Sequence, residues 1–80
     1  MKCMVKAFGI TREIAGAKEV VVELPEGSTV SDFKTELFSQ FPRLSALTSL
    51  FIAVNQAYAE DHQVLKPEDE IALIPPVAGG

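Results

Sequence analysis

Few residues in this chain are of a type that does chemistry, and their spacing argues against catalysis by the domain itself. His62 is the sole histidine, and no cysteine lies near it at metal-ligand spacing, so it reads as a turn-capping or hydrogen-bonding side chain and not a zinc ligand. Glu60, Asp61, Glu68, Asp69 and Glu70 supply several carboxylates. Nothing pairs them in an apolar cleft, as a general acid/base couple requires, and they read as a solvated acidic rim. Cys3 is the single cysteine, which excludes an internal disulfide framework and is compatible with a reducing compartment. Its place in a first strand favours a structural role over a nucleophilic one. Gly27-Ser28-Thr29 lacks the lysine and the remaining glycines of a phosphate-binding loop.

What is left is the C-terminal carboxylate of Pro75-Pro76-Val77-Ala78-Gly79-Gly80. Two prolines forbid helix and remove two backbone donors, so strand pairing is expected to stop there. Beyond them the side chains shrink to nothing, and at roughly 3.3 Å per extended residue six residues reach about 20 Å from the domain. The glycines add no bulk and adopt whatever backbone angles a narrow channel imposes. A frayed tail of no consequence has the same composition. The placement of the diglycine, directly after an apolar strand and at the chain end, favours a presented terminus. The expected organisation is a domain over residues 1–75 and a flexible tail over 76–80.

The elements that must hold this tail can be read in order. Lys2–Phe8 alternates, with Cys3, Val5 and Ala7 on one face and Met4 and Phe8 on the other beside Lys2 and Lys6. If the odd face is the inner one, Phe8 is exposed and marks an interface, the other reading being that it folds over a core edge. Thr11–Gly16 fits a short helix, with Thr11 as N-cap, Gly16 as its stop, Ile10 and Ile14 plugging one end of the core, and Arg12 facing solvent. Lys18–Leu24 is a β-branched strand with Val20, Val22 and Leu24 inward, paired antiparallel with the first. Thr29 and Asp32 come close to a capping box ahead of a helix whose stripe is Val30, Phe33, Leu37 and Phe41, widened by Phe38. Pro42 ends it, and the leucines at 44, 47 and 50 suit a turn or two of irregular helix over the sheet edge. Phe51–Val54 is a strand, Asn55-Gln56 a turn in which asparagine takes a positive φ, and Ala57–Ala59 a short hairpin arm. Val64–Glu70 crosses over with Leu65 buried, and Pro67-Glu68-Asp69 is a turn. Ile71–Ile74 is continuously apolar, which predicts a central strand. The order β-β-α-β-(β)-β with a central last strand predicts an α+β fold of the β-grasp, ubiquitin-like kind, a mixed sheet holding one main helix.

Eighty residues make one domain, and 48% apolar content is ordinary for a globular protein and excludes wholesale disorder. Seven basic and eleven acidic side chains give a net charge of −4, which argues against a phosphate-backbone binder such as a nucleic-acid protein and suits steering toward a basic partner. The N-terminus is too short in its apolar run for a signal peptide, and no stretch approaches the length of a membrane span. A cytoplasmic location without membrane contact is expected.

The segments Ala53-Val54-Asn55-Gln56, Asp61-His62, Asp69-Glu70-Ile71-Ala72 and the Pro-Pro-Val-Ala-Gly-Gly terminus resemble the small, sulfur-carrying subunit family of molybdopterin synthase, as do Phe8 and Arg12-Glu13-Ile14-Ala15-Gly16. The resemblance covers essentially the full length, and Ile74 departs from it where an aromatic often precedes the prolines. It implies a carrier and not a catalyst in its own right. A ubiquitin-activating-like adenylase using ATP and magnesium would adenylate Gly80, and a sulfur donor protein would convert the adenylate to a thiocarboxylate. The large synthase subunit would accept the tail and pass the sulfur to precursor Z, the cyclic pyranopterin that becomes the molybdopterin dithiolene. Two carriers would flank a dimer of large subunits, a heterotetramer, and nothing would be bound stably by the carrier. An ionised terminal carboxylate, with pKa near about 3.5, is a poor electrophile, which is why activation by a nucleotide-binding partner is needed. In this reading Gly80 carries the sulfur; Gly79, Ala78, Val77, Pro76 and Pro75 thread and stiffen the tail. Phe8, the outward side chains of Leu65 and Ile74, and Arg12 dock the partners. Rival readings are a carrier for thiazole or another pathway, a ubiquitin-like modifier joined to lysines, and a β-grasp binding module with an idle diglycine.

Overall fold

Alternating burial along the first segment sets the layer structure. In the computed structural model, which describes residues 1–47 and 49–75, β1 (Lys2–Ala7) buries Cys3, Val5 and Ala7 and leaves Met4 outward. It pairs antiparallel with β2 (Glu19–Glu23), in which Val22 is buried and Val21 exposed. Between them lies α1 (Ile10–Ala15), ended by Gly16 at φ 76°, a left-handed conformation that glycine adopts without a Cβ penalty.

The main helix α2 (Val30–Gln40) starts at a complete capping box. The Asp32 N–H donates to Thr29 Oγ1 at 3.2 Å and the Thr29 N–H donates to Asp32 Oδ2 at 2.9 Å, so the shorter aspartate fills the place usually held by glutamate. Its Val30, Phe33 and Leu37 are fully buried, and Phe38 and Phe41 pack half-buried against the same core. A 3-10 helix at Pro42–Ala46 follows and inserts Leu44 into the core, packing on α2 and α1 more than along a sheet edge.

The remaining strands are β3 (Phe51–Val54), β4 (Ala57–Tyr58) and β5 (Ile71–Ile74). Asn55 and Gln56 both take positive φ, 52° and 70°, the conformation a two-residue hairpin turn needs to follow strand twist. The sheet order is β2-β1-β5-β3-β4, with β5 central, parallel to β1 and antiparallel to β3. Ile71 and Leu73 are buried under α2's side of the sheet, whereas Ala72 and Ile74 are half-covered on the other. This is the mixed, helix-holding β-grasp sheet that the element order predicts.

Three local expectations are corrected. Thr11 does not cap α1; Gly9 stands at that position, and Thr11 is fully buried within the first turn. Ile10 is 38% exposed, because the helix begins at the domain margin and Thr11 and Ile14 are the side chains turned to the core. Leu65 is buried, as its place in the crossover predicts, and so does not join Ile74 as an outward docking side chain. It is 2% exposed, its N–H donates to the Ser28 carbonyl at 2.8 Å, and the bridge between Thr29 and Val64 turns Val64 to solvent in its place.

Candidate functional site

With one sheet face covered by α2, the other presents an apolar surface. Register places its members side by side: Met4 opposite Val21, Ala53 opposite both Ala72 and Tyr58, and Phe51 opposite Ile74. The Phe51 and Tyr58 rings lie 5.3 Å apart between centroids, tilted by 36°, inside the range at which aromatic pairs attract. Met4, Phe8, Val21, Phe51 and Tyr58 are all substantially exposed. A shallow concavity over the middle of this face is walled by Phe8, Ile74, Tyr58 and Gln56, with Lys6 and Glu70 at its rim. Those two charged groups pair at 3.3 Å, half-exposed.

The point where the chain leaves the sheet lies at the end of this face. Parallel pairing sets Val5, Lys6 and Ala7 beside Ile71, Ala72 and Leu73. Beyond this ladder Phe8 and Ile74 line the same concavity, and a Cβ built on Gly9 would stand 3.2 Å from Pro75 Cγ. Phe8 is fixed from below by Thr11. The Phe8 N–H donates to Thr11 Oγ1 at 2.8 Å and the Thr11 hydroxyl donates to the Phe8 carbonyl at 2.5 Å. A buried hydroxyl thereby satisfies two backbone groups at a strand end.

Of the residues expected to dock partners, the fold brings Phe8 and Ile74 together, and it places exposed Arg12 at a neighbouring groove that Phe8 shares with Lys6 and Lys18. Leu65 is excluded from that surface by its burial. Pro75 is half-buried at the exit, while Pro76, Val77, Ala78, Gly79 and Gly80 lie outside the described residues. Phe51, Tyr58, Met4 and Val21 were not singled out by the sequence reading. The alternation of Met4 and Val21 with buried neighbours was a usable signal; the positions of Phe51 and Tyr58 depended on register, which short strands do not encode by themselves.

The other reactive types form no site. Among the described residues no group of His, Cys, Asp and Glu is arranged to hold a metal ion, and no helix is long and apolar enough to cross a membrane. His62 is exposed and lies 3.3 Å from Glu60 through Nε2. Cys3 is 2% exposed; burial pushes its thiol pKa up, the charge of Asp69 acts in the same direction, and the α-amino group opposes both.

A mixed five-stranded sheet gripping one helix, with an apolar outer face that leads to the exit of a central last strand, defines a ubiquitin-like β-grasp domain. The chain belongs to the ThiS family, whose model matches residues 5–80. It is 36% identical over 83 residues to the molybdopterin synthase sulfur carrier subunit of Chlamydomonas reinhardtii, covering 100% of both chains. It is 35% identical over 74 residues to the subunit of that name from Arabidopsis thaliana, covering 91% of this chain and 77% of the plant protein. Among solved structures, a putative molybdopterin converting factor subunit 1 from Pyrococcus furiosus superposes with a TM-score of 0.88 at 31% identity, covering 96% and 99% of the two chains. SAMP1 from Haloferax volcanii superposes with a TM-score of 0.87 at 27% identity, covering 100% of both chains. A complex of subunits 1 and 2 of molybdopterin-converting factor from Helicobacter pylori contains a chain matching with a TM-score of 0.70 at 25% identity, covering 100% of both.

Proposed function

We propose that this chain is the sulfur-carrier subunit of a molybdopterin synthase in the cytoplasm. The observation that carries the reading is the full-length similarity to sulfur carrier subunits, supported by an apolar outer sheet face beside the end of β5. An adenylase supplied with ATP and magnesium activates the Gly80 carboxylate. The carboxylate oxygen bonds to the α-phosphorus, pyrophosphate leaves, and the resulting anhydride makes AMP a good leaving group for a sulfur donor. The thiocarboxylate so formed enters the large subunit, which supplies the catalytic side chains and takes the sulfur into the pterin precursor. Phe8, Ile74, Phe51 and Tyr58 dock the partner, and the tail from Pro75 to Gly80 threads its channel. A large-subunit partner accords with the Helicobacter pylori two-subunit complex.

The test is intact-mass analysis after incubation with the adenylase, ATP, magnesium and a sulfur donor. A gain equal to the replacement of one oxygen by sulfur, located at Gly80, supports the carrier. An unchanged mass, alongside a control carrier that is loaded, rejects it. The likeness to SAMP1, a small archaeal modifier protein, supports a second reading in which Gly80 is joined to lysines of other proteins. That reading predicts a ladder of conjugates in place of one discrete complex.

A further inference from the structure

We infer that Gly9, held in place by Thr11, is a positioning residue that seats the Pro75 ring and so aims the C-terminal tail. The inference rests on the carrier reading for its consequence in turnover, but not for its geometry. Gly9 has φ 55° and ψ −131°, a region that residues with a Cβ rarely enter. A helix of six residues does not need such an N-cap, and Gly9 makes no side-chain cap hydrogen bond. The backbone conformation by itself favours glycine, and close approach is a second demand: with Pro75 Cγ 3.2 Å from where a Cβ would sit, the missing side chain leaves a shelf, the space in which the proline ring is seated. Gly16 and Gly27 also have positive φ, yet nothing lies within 4 Å of a Cβ built on either, so close approach distinguishes Gly9 among the three.

The shelf is itself braced. Thr11 has no exposed surface, and its hydroxyl holds both the N–H and the carbonyl of Phe8, the residue before the shelf. The Gly9 carbonyl accepts from the Arg12 N–H at 3.1 Å, which fixes the residue from the other side. Proline contributes a ring of fixed φ, so seating that ring on a braced surface narrows the set of paths by which the chain can leave β5. The device therefore couples α1 to Pro75, the residue at which the proposed tail begins. A tail that starts in the right direction loses less orientational freedom when it enters a partner's active site.

The experiment is a double-mutant cycle on the full chain with Gly9→Ala and Pro75→Ala, read as kcat and KM for adenylation by the activating partner. Backbone strain at position 9 is present with either residue at position 75 and cancels in the cycle, so only the contact remains. Gly9→Ala is expected to lower kcat by roughly tenfold or more while KM changes little, since a displaced reacting group costs turnover. In the Pro75→Ala background the same substitution costs much less. Thr11→Ser keeps the hydroxyl and keeps kcat, whereas Thr11→Val lowers it. Equal penalties for Gly9→Ala in both backgrounds, or a loss confined to KM, overturn the inference.

A readout independent of any partner separates this idea from the carrier reading. In the unmodified protein, NOEs are expected between the Gly9 α-protons and the Pro75 ring. The Pro75 Cα–Hα residual dipolar coupling shifts in Thr11→Val and stays in place in Thr11→Ser. Absent NOEs, or an unmoved coupling in Thr11→Val, reject the shelf even if Gly80 is loaded with sulfur. Their presence supports it even if Gly80 is not.

Discussion

The side chain of Asn55 is bound from two places on the segment that leads into the central strand: its Nδ2 donates to Asp69 Oδ1 at 2.9 Å, and its Oδ1 accepts the Glu70 N–H at 2.9 Å. Asp69 in turn accepts the Lys66 N–H through Oδ2 at 2.8 Å, so one asparagine and one aspartate close both the β3–β4 hairpin and the turn before β5. Asn55 also occupies φ 52°, where asparagine is tolerated better than most residues. Asn55→Ala is expected to cost about 2 kcal/mol, from the lost hydrogen bonds together with a Cβ in the left-handed region. Asn55→Gly keeps the backbone conformation and is expected to cost roughly 1 kcal/mol less than alanine. Urea midpoints of the two variants check both the size and the order.

Phe8 and Leu65 separate docking from folding. Phe8 is 48% exposed at the tail exit and Leu65 is 2% exposed in the core. Phe8→Ser removes an aromatic from the apolar face, and partner affinity is expected to fall by about 2 kcal/mol, the scale of an interface hot spot. Stability is expected to change little. Leu65→Ala leaves a cavity and is expected to cost about 2–5 kcal/mol in folding. Any effect on binding follows from the unfolded fraction and disappears when affinity is corrected for it. Thermal melts paired with isothermal titration against the large subunit distinguish the two.

Much of this fold is legible in the chain because period and burial coincide. Cys3, Val5 and Ala7 alternate with outward residues, Val30, Phe33 and Leu37 recur at helical spacing, and all six are buried. The unbroken apolar run at Ile71–Ile74 reported a central strand. What the chain did not disclose depends on tertiary register. Leu65 reads from the chain both as a buried crossover residue and as a docking side chain, and the bridge of Val64 to Thr29, which leaves Val64 exposed, decides for burial. Thr11 has the composition of a cap, yet the strand end at Phe8 competes for its hydroxyl and wins. Phe51 joins the outer face because β5 brings Ile74 opposite it, a pairing made across 23 residues of sequence. The tail was read from composition and resemblance, and its residues 76–80 lie outside the described ones.

Cys3 makes folding stability fall as pH rises into the alkaline range. Burial raises the thiol pKa in the folded state, so the unfolded chain loses that proton first as pH rises. By linkage the corresponding stability is fully present below the unfolded thiol pKa, near about 8.5, and is lost as pH climbs from there through the folded value. Cys3→Ala lacks this dependence, so the difference in urea midpoint between it and the unmodified chain is expected to be constant at neutral pH and to shift in favour of the alanine variant above it. At neutral pH the buried thiol is expected to resist maleimide until the protein unfolds. Rapid labelling of the native protein contradicts the burial.

Gly79 tests the proposal that the tail serves sulfur transfer and contributes little to folding. Gly79→Val adds a β-branched side chain one residue from Gly80, in the segment proposed to enter a narrow channel of the partner. Valine both widens the tail and restricts its backbone angles. Loading at Gly80 and sulfur delivery to the large subunit are expected to fall severely, by more than about a hundredfold, because the reacting atom no longer reaches its position. Unfolding free energy is expected to move by no more than about 0.5 kcal/mol, the usual range for a substitution away from packed structure. Paired measurements of thiocarboxylate formation and chemical denaturation on the same preparation decide it. Undiminished transfer removes the channel from the mechanism, and a large loss of stability ties the tail to the core.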